Sequence, residues 1–127
     1  MPKPTMTGEQ CVVVVSLPPR PLWQNVRCHW SKKSTMGSKH RHEAWLFTAK
    51  ALSSKRPGWV RAEIDFDFYW PDKRRRDPIN ALGACKWAID GLVDAGLLID
   101  DDKVTPGKVG MHVDAETPRL QMTIRKG

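Results

Sequence analysis

The first apolar run in the chain is Cys11-Val-Val-Val-Val-Ser-Leu17, β-branched and bounded by polar residues and prolines. Such a run predicts a strand buried on both faces. Pro18-Pro19-Arg20-Pro21 ends it, because proline cannot donate to a sheet ladder. Residues 1–10, with Pro, Thr and Gly and little to bury, read as a loose tail. Ser38 to Ser53 carries apolar residues at Ala44, Leu46, Phe47, Ala51 and Leu52, a rough helical spacing closed by Pro57-Gly58. From Trp59 to Trp70 the chain alternates strictly. Val60, Ala62, Ile64, Phe66 and Phe68 take one side, and Arg61, Glu63, Asp65 and Asp67 the other. That is a half-buried strand with a water-facing acidic side.

Pro78 to Ala95 is the best helical pattern in the chain. Asp77 suits the cap and Pro78 the first helical position. Ile79, Leu82, Cys85, Ile89, Leu92 and Val93 fall on one stripe at 100° per residue, and Gly96 fits the stop. Leu97-Leu98-Ile99 reads as a short strand, Pro106-Gly107 as a turn, 110–114 as a short strand, and 119–125 as a last one with Leu120, Met122 and Ile124 inward. The order β-α-β-α-β-β-β implies one α/β domain over residues 1–127, with a single mixed β-sheet and two main helices.

The segment between the first strand and first helix changes the picture. Residues 18–42 form a long basic loop in this reading, with Arg20, Arg27, Lys32, Lys33, Lys39 and Arg41 and no acid before Glu43. Trp23, Trp30, His29, His40 and His42 are interleaved. Clustered cations with aromatics are the footprint of a DNA-backbone clamp with platforms for exposed bases. The plainer reading is a solvated basic loop. The net charge of +7 fits a polyanionic partner, and no basic amphipathic helix points to a membrane surface instead. Cys11, Cys28 and Cys85 are an odd, widely spaced set, each expected to pack as a small apolar residue in a reducing cytoplasm. Cys28-His29 with His40-x-His42 matches no zinc-finger or ribbon spacing. No signal peptide or membrane-length apolar run is visible, so a cytoplasmic location is expected.

The chemistry concentrates between Pro71 and Val104. Arg74, Arg75 and Arg76 precede Asp77, Lys86 lies on the next helix, and Asp100, Asp101 and Asp102 follow it. Phosphodiester hydrolysis needs charge stabilised on phosphorus and a hydroxide made from water, and bound Mg²⁺ supplies both. Carboxylates suit that hard cation, so Asp77, Asp101 and Asp102 are candidate ligands, with Asp100 a weaker one. Lys86 is a candidate for stabilising the phosphorane or orienting water, and the arginines for forked contacts to flanking phosphates. Singly, each has a simpler role. Asp77 caps a helix for about 1 kcal/mol, and Lys86 pairs with Asp90 four residues on.

These residues resemble the RusA family of Holliday junction resolvases, especially forms carried by phages and prophages. The likeness lies in Arg75-Arg76-Asp77-Pro78-Ile79-Asn80, then Lys86, then Asp90-Gly91-Leu92-Val93-Asp94-Ala95-Gly96, then Asp100-Asp101. It covers about a quarter of the chain closely, and the proline-rich Asn25/Arg27 loop extends it in outline. The resemblance implies a homodimeric, Mg²⁺-dependent endonuclease (Mn²⁺ being an alternative ion) of DNA recombination and repair. Such an enzyme binds four-way and other branched DNA and nicks two strands symmetrically. It further implies Asp77 and Asp101 as catalytic aspartates, Lys86 as the essential lysine, and Asn80 in the DNA-contacting set with Arg74, Arg75 and Arg76. Ile79 departs from the pattern, standing where the family carries a second aspartate. Phage members sharing the Asp-Pro-x-Asn form point to Asp102 as the replacement ligand, with Asp67 the other candidate.

A competing expectation is a catalytically silent junction-binding module, supported by Ile79; a third is a small basic scaffold with no junction preference. A straight helix over 78–95 would be ~27 Å long, and four or five returning strand residues cover only ~15 Å. Asp77 and Asp101 therefore converge only if the helix is shorter, bends near Gly83 or Gly91, or a partner subunit contributes.

Overall fold

The computed structural model describes residues 5–23 and 26–127. It is a single α/β domain: a five-stranded mixed sheet and two main helices. The strands are β1 (Thr5–Thr7), β2 (Gln10–Val15), β3 (Ala62–Trp70), β4 (Val104–Val113) and β5 (Arg119–Lys126). They lie in the order β1-β2-β5-β3-β4, with every neighbouring pair antiparallel except β3 and β4. The helices are α1 (Trp30–Leu52), α2 (Pro78–Gly83) and α3 (Lys86–Asp94), with a short 3-10 turn at Arg20–Leu22.

The alternating residues of β3 behave as their pattern predicts. Ala62, Ile64, Phe66, Phe68 and Trp70 are buried with Leu120, Met122 and Ile124 of β5 and Cys11, Val13 and Val15 of β2. Ala44 and Leu52 of α1 and Ala88 and Leu92 of α3 join the same core, so the helices cover one side of the sheet. Glu63, Asp65 and Asp67 point the other way, where each has a side-chain partner. Arg125 holds Asp65 at 2.8 Å and also bonds Glu63, and His112 meets Asp67 at 2.8 Å.

Helix α1 begins eight residues before the expected Ser38, so Lys32, Lys33, Lys39 and Arg41 lie on a helix and not in a loop. Its buried seam explains why the apolar pattern missed this: Gly37, His40, Ala44, Thr48 and Leu52 recur at helical spacing, yet most are small or polar. Gly37 sits under the Trp87 indole and Gly91 against the Arg41 carbonyl, so glycines let α1 and α3 pack closely. His29 starts α1, its Nδ1 accepting from Ser31 N at 3.2 Å.

Four other expectations need correction. The single helix over 78–95 is two helices, broken at Ala84 and Cys85 just after Gly83, one of the two glycines at which bending was expected. The break takes Ile79 out of the buried stripe and leaves it 75% exposed. Leu97 and Leu98 are buried but form only one bridge, Leu98 to Trp59, instead of a strand. Pro106-Gly107 lies inside β4, where an extra residue bulges between the Ile64–Pro106 and Phe66–Val109 pairs. Proline is tolerated there because β4 is an edge strand. The expected loose tail is in part a strand, Thr5–Thr7 folding back on Gln10–Val12; residues 1–4 lie outside the described residues. Cys11 and Cys85 are buried as expected, burial pushing the Cys11 thiol up to about 11, whereas Cys28 is exposed. Among the described residues no helix is long and apolar enough to cross a membrane.

Candidate active site and nucleic-acid interface

Where β3 ends, the turn through Pro71–Arg76 is tied by one aspartate. Asp72 accepts from Arg74 N at 3.0 Å and pairs with the Arg76 guanidinium at 2.8 Å, and these contacts hold its carboxyl below the usual range. Arg76 also lies over the Trp70 ring at 4.6 Å and donates to the Asp72 and Arg74 carbonyls. Only 16% of its side chain is exposed, so Arg76 pegs the turn instead of reaching for phosphate. Arg74 is the opposite case, 82% exposed with a 3.5 Å contact to Asp72. Arg75 is exposed and makes no side-chain hydrogen bond or ion pair among the described residues.

Asp77 opens α2 as its pattern predicts. Its Oδ1 accepts from Ile79 N at 2.9 Å and its Oδ2 from Asn80 Nδ2 at 3.4 Å. A cleft of about 460 Å³ lies beside it, with Arg74, Arg75, Asp77 and Asn80 on one wall and Arg20 and Trp23 on the other. The opposing wall was not singled out from sequence. Its signal was present, since Arg20 and Trp23 belong to the cation-and-aromatic segment, but nothing in that segment's pattern says which residues face Asp77.

The lysine and the last aspartate of the motif do meet. Lys86, at the start of α3, donates to Asp90 Oδ1 at 2.7 Å and to Asp101 Oδ2. The Asp101 contact, then the Asp90 contact, raises the Lys86 pKa; Lys86 in turn lowers that of Asp101. The contact joins the first residue of α3 to the turn that precedes β4, beyond the helix break at Ala84 and Cys85. The plainer i,i+4 pair and the longer-range pair therefore share one ammonium group. Beside them is a cavity of about 400 Å³ whose other walls are apolar, including Phe66, Leu82, Ile89 and Val104.

The remaining carboxylates are apart. Asp77 caps α2 and Gly83 ends it, so ~9 Å of helix separates Asp77 from the rim of the Lys86–Asp101 cavity. Asp102 is exposed and bonds neither Lys86 nor Asp101. Asp67 projects from β3 to the side opposite Phe66, which lines that cavity, so it is not the replacement ligand within one chain. Among the described residues no three His, Cys, Asp or Glu side chains stand together as a metal cage. The donors still suit Mg²⁺ in its commoner mode, one or two carboxylates with water and substrate phosphate. Lys86 engages Asp101 through Oδ2, leaving Oδ1 for such a role.

The expected clamp is also rearranged. Arg41 grips Asp94 through two bonds of 2.6 and 2.8 Å, fastening α1 to α3, and is not available as expected. Arg27, Lys32 and Lys39 are exposed and Lys33 half-buried, with Trp30 76% exposed among them. Asn25 lies outside the described residues. Comparison with known protein families finds no match, and no curated protein matches the chain.

Proposed function

We propose that this chain is a Mg²⁺-dependent, structure-selective DNA endonuclease of RusA type that resolves four-way junctions by paired nicks and acts as a homodimer in recombination and repair. The observation that carries the reading is the meeting of Lys86 with Asp101 across the α3–β4 crossover. The motif's lysine and last aspartate are fifteen residues apart in the chain and in direct contact in the fold.

Each residue then has a task. Arg74 and Arg75 take the phosphates flanking the scissile bond by forked, charge-assisted hydrogen bonds. Lys86 stays protonated at neutral pH, so it donates from Nζ to a non-bridging phosphate oxygen and does not act as a base. Asp101, its Oδ2 engaged by Lys86, would hold the ion through Oδ1. The ion, when bound, lowers the pKa of water and offsets charge on the phosphoryl oxygens. Asp77, beside the arginines, and Asp102 supply further carboxylates. A second copy about a two-fold axis presents an equivalent site to the opposing strand, as the symmetry of a junction requires.

The separation of Asp77 from Asp101 favours a second reading, a module of the same fold that binds junctions without cutting them. A synthetic four-way junction with Mg²⁺ separates the two. Paired nicks that vanish with chelator support the enzyme, whereas tight binding with no nicks under either Mg²⁺ or Mn²⁺ supports the module. Affinity alone does not discriminate, since both bind phosphate and both weaken with salt.

A further inference from the structure

We infer that the cleft between the segment after β2 and the arginine turn after β3 receives a single unstacked nucleotide at a DNA branch. The inference rests on the branched-DNA reading above and adds the feature that tells a branch from continuous duplex. The first argument is size. At about 460 Å³ the cleft is in the range of small-molecule sites. A duplex cannot enter such a space; a base that has left its stack can.

The second argument is charge. Arg20 and Arg75 face the cleft from opposite walls, and neither makes a side-chain hydrogen bond or ion pair among the described residues. Asp77 is the lone acid of the lining, and its two oxygens already accept from Ile79 N and Asn80. The cleft is therefore cationic, matching a phosphodiester on each side of the nucleotide.

The third argument is the aromatic wall. Trp23 is half-buried, with its Nε1 committed to the Pro18 carbonyl at 3.1 Å, so its ring is fixed. Trp70 is stacked on Phe68 at 4° and covered by Arg76 at 4.6 Å, which keeps it from swinging in to fill the space. Trp23 and Trp70 lie against each other, ring centroids 5.6 Å apart and tilted by 51°, so no base enters between them; a base packs instead on Trp23 beside the paired guanidiniums, and the recognition is of an unpaired nucleotide and not of a sequence.

The test uses the full chain with chelator present, at one fixed salt concentration. Three labelled probes are compared: a duplex with one bulged thymidine, the same duplex with an abasic bulge, and the fully paired duplex. The bulged thymidine is expected to bind at least about ten-fold more tightly than the abasic bulge. Arg20→Ala with Arg75→Ala is expected to abolish that ratio, and neither side chain makes a hydrogen bond or ion pair among the described residues whose loss would unfold the chain. Trp23→Phe is expected to retain part of it. Equal binding of the two bulges, or a ratio that survives the double arginine replacement, overturns the inference. A chain that discriminates yet never nicks junctions in Mg²⁺ sinks the endonuclease reading and leaves the cleft standing; a chain that nicks without discriminating does the reverse.

Discussion

Lys86 Nζ is shared between Asp101, fifteen residues on, and Asp90, four residues on, the latter at 2.7 Å. One ammonium thus serves a helix pair and a crossover pair together. The two contacts predict different consequences. Asp90→Asn removes a surface pair, and surface pairs contribute roughly 0.2–1 kcal/mol, so nicking should stay within about three-fold of the parent. Asp101→Asn and Lys86→Met remove groups that the proposed mechanism places at the reacting phosphate and its ion, where losses of about 10²–10⁴ are expected. A steady-state nicking assay on a four-way junction checks this. Equal losses for Asp90→Asn and Asp101→Asn would show that only the network matters.

The same pair fixes a pH expectation. Lys86 has its pKa raised above the usual 10.5, so its charge persists below that and is lost only as pH climbs through the raised value. Asp101 is lowered from the usual 3.8, so its charge is present above that and lost only as pH falls through the lowered value. Both stay ionised across the neutral range. The nicking rate between pH 6 and about 9 should therefore show no step that Lys86→Arg removes. A base-side limb near neutrality that disappears in that variant would mean Lys86 loses its proton in the reaction.

Asp77 caps α2 and also faces the basic cleft, and two replacements separate those roles. Asparagine caps as well as aspartate, so Asp77→Asn should melt with the parent and yet lose junction nicking by about 10²-fold or more. Asp77→Ala should lose nicking and about 1 kcal/mol of stability besides. Asp102→Asn decides whether Asp102 stands in for the aspartate absent at Ile79. A loss like that of Asp77→Asn supports the replacement, and an unaffected enzyme ends it.

The sheet was legible because β2, β3 and β5 carry strict, strongly apolar patterns whose burial the tertiary structure had no reason to override. Asp77-Pro78 was legible as a helix start because capping is local chemistry. The first half of α1 was not, since its buried seam is Gly37 and His40, which hydrophobicity does not mark. The break at Ala84–Cys85 was hidden because both residues are small and apolar and Cys85 continues the stripe. Asp101 was found from composition and motif, but its contact with Lys86 depends on how the chain returns after the break. Asp77 and Asp101 share a motif and not a cavity, since six residues of α2 intervene.

Gly91 carries a sharper stability prediction. A Cβ at this position would lie 2.4 Å from the Arg41 carbonyl oxygen and 2.7 Å from the Ala44 Cβ, both in the fixed framework of α1. Alanine ordinarily favours a helix by up to about 1 kcal/mol over glycine. Here crowding opposes it, at about 1–3 kcal/mol for an overpacked core, so Gly91→Ala should lower the urea midpoint. A raised midpoint would mean that α1 and α3 separate freely, and then the Arg41–Asp94 fork would not be fastening them.

His40 gives the fold its own acid sensitivity. It is 2% exposed, its Nε2–H donating to the Ser16 carbonyl at 2.9 Å, while Nδ1 has no hydrogen-bond partner among the described residues. Burial is the largest influence and lowers its pKa below the usual 6.5; the Ser16 hydrogen bond and the Glu43 charge pull the other way without prevailing. The unfolded chain therefore takes up the proton first as pH falls. The neutral ring's contribution is intact above 6.5 and is lost progressively below it, with a slope of at most about 1.4 kcal/mol per pH unit for one proton. His40→Gln keeps a donor for Ser16 and removes the titration. Urea unfolding of the two proteins should run parallel from pH 9 to 7 and then converge or cross as the parent loses stability between 6.5 and 5, before the carboxylates titrate. Curves that stay parallel through that window would mean that the imidazole is protonated inside the fold, with Glu43 as its counter-charge.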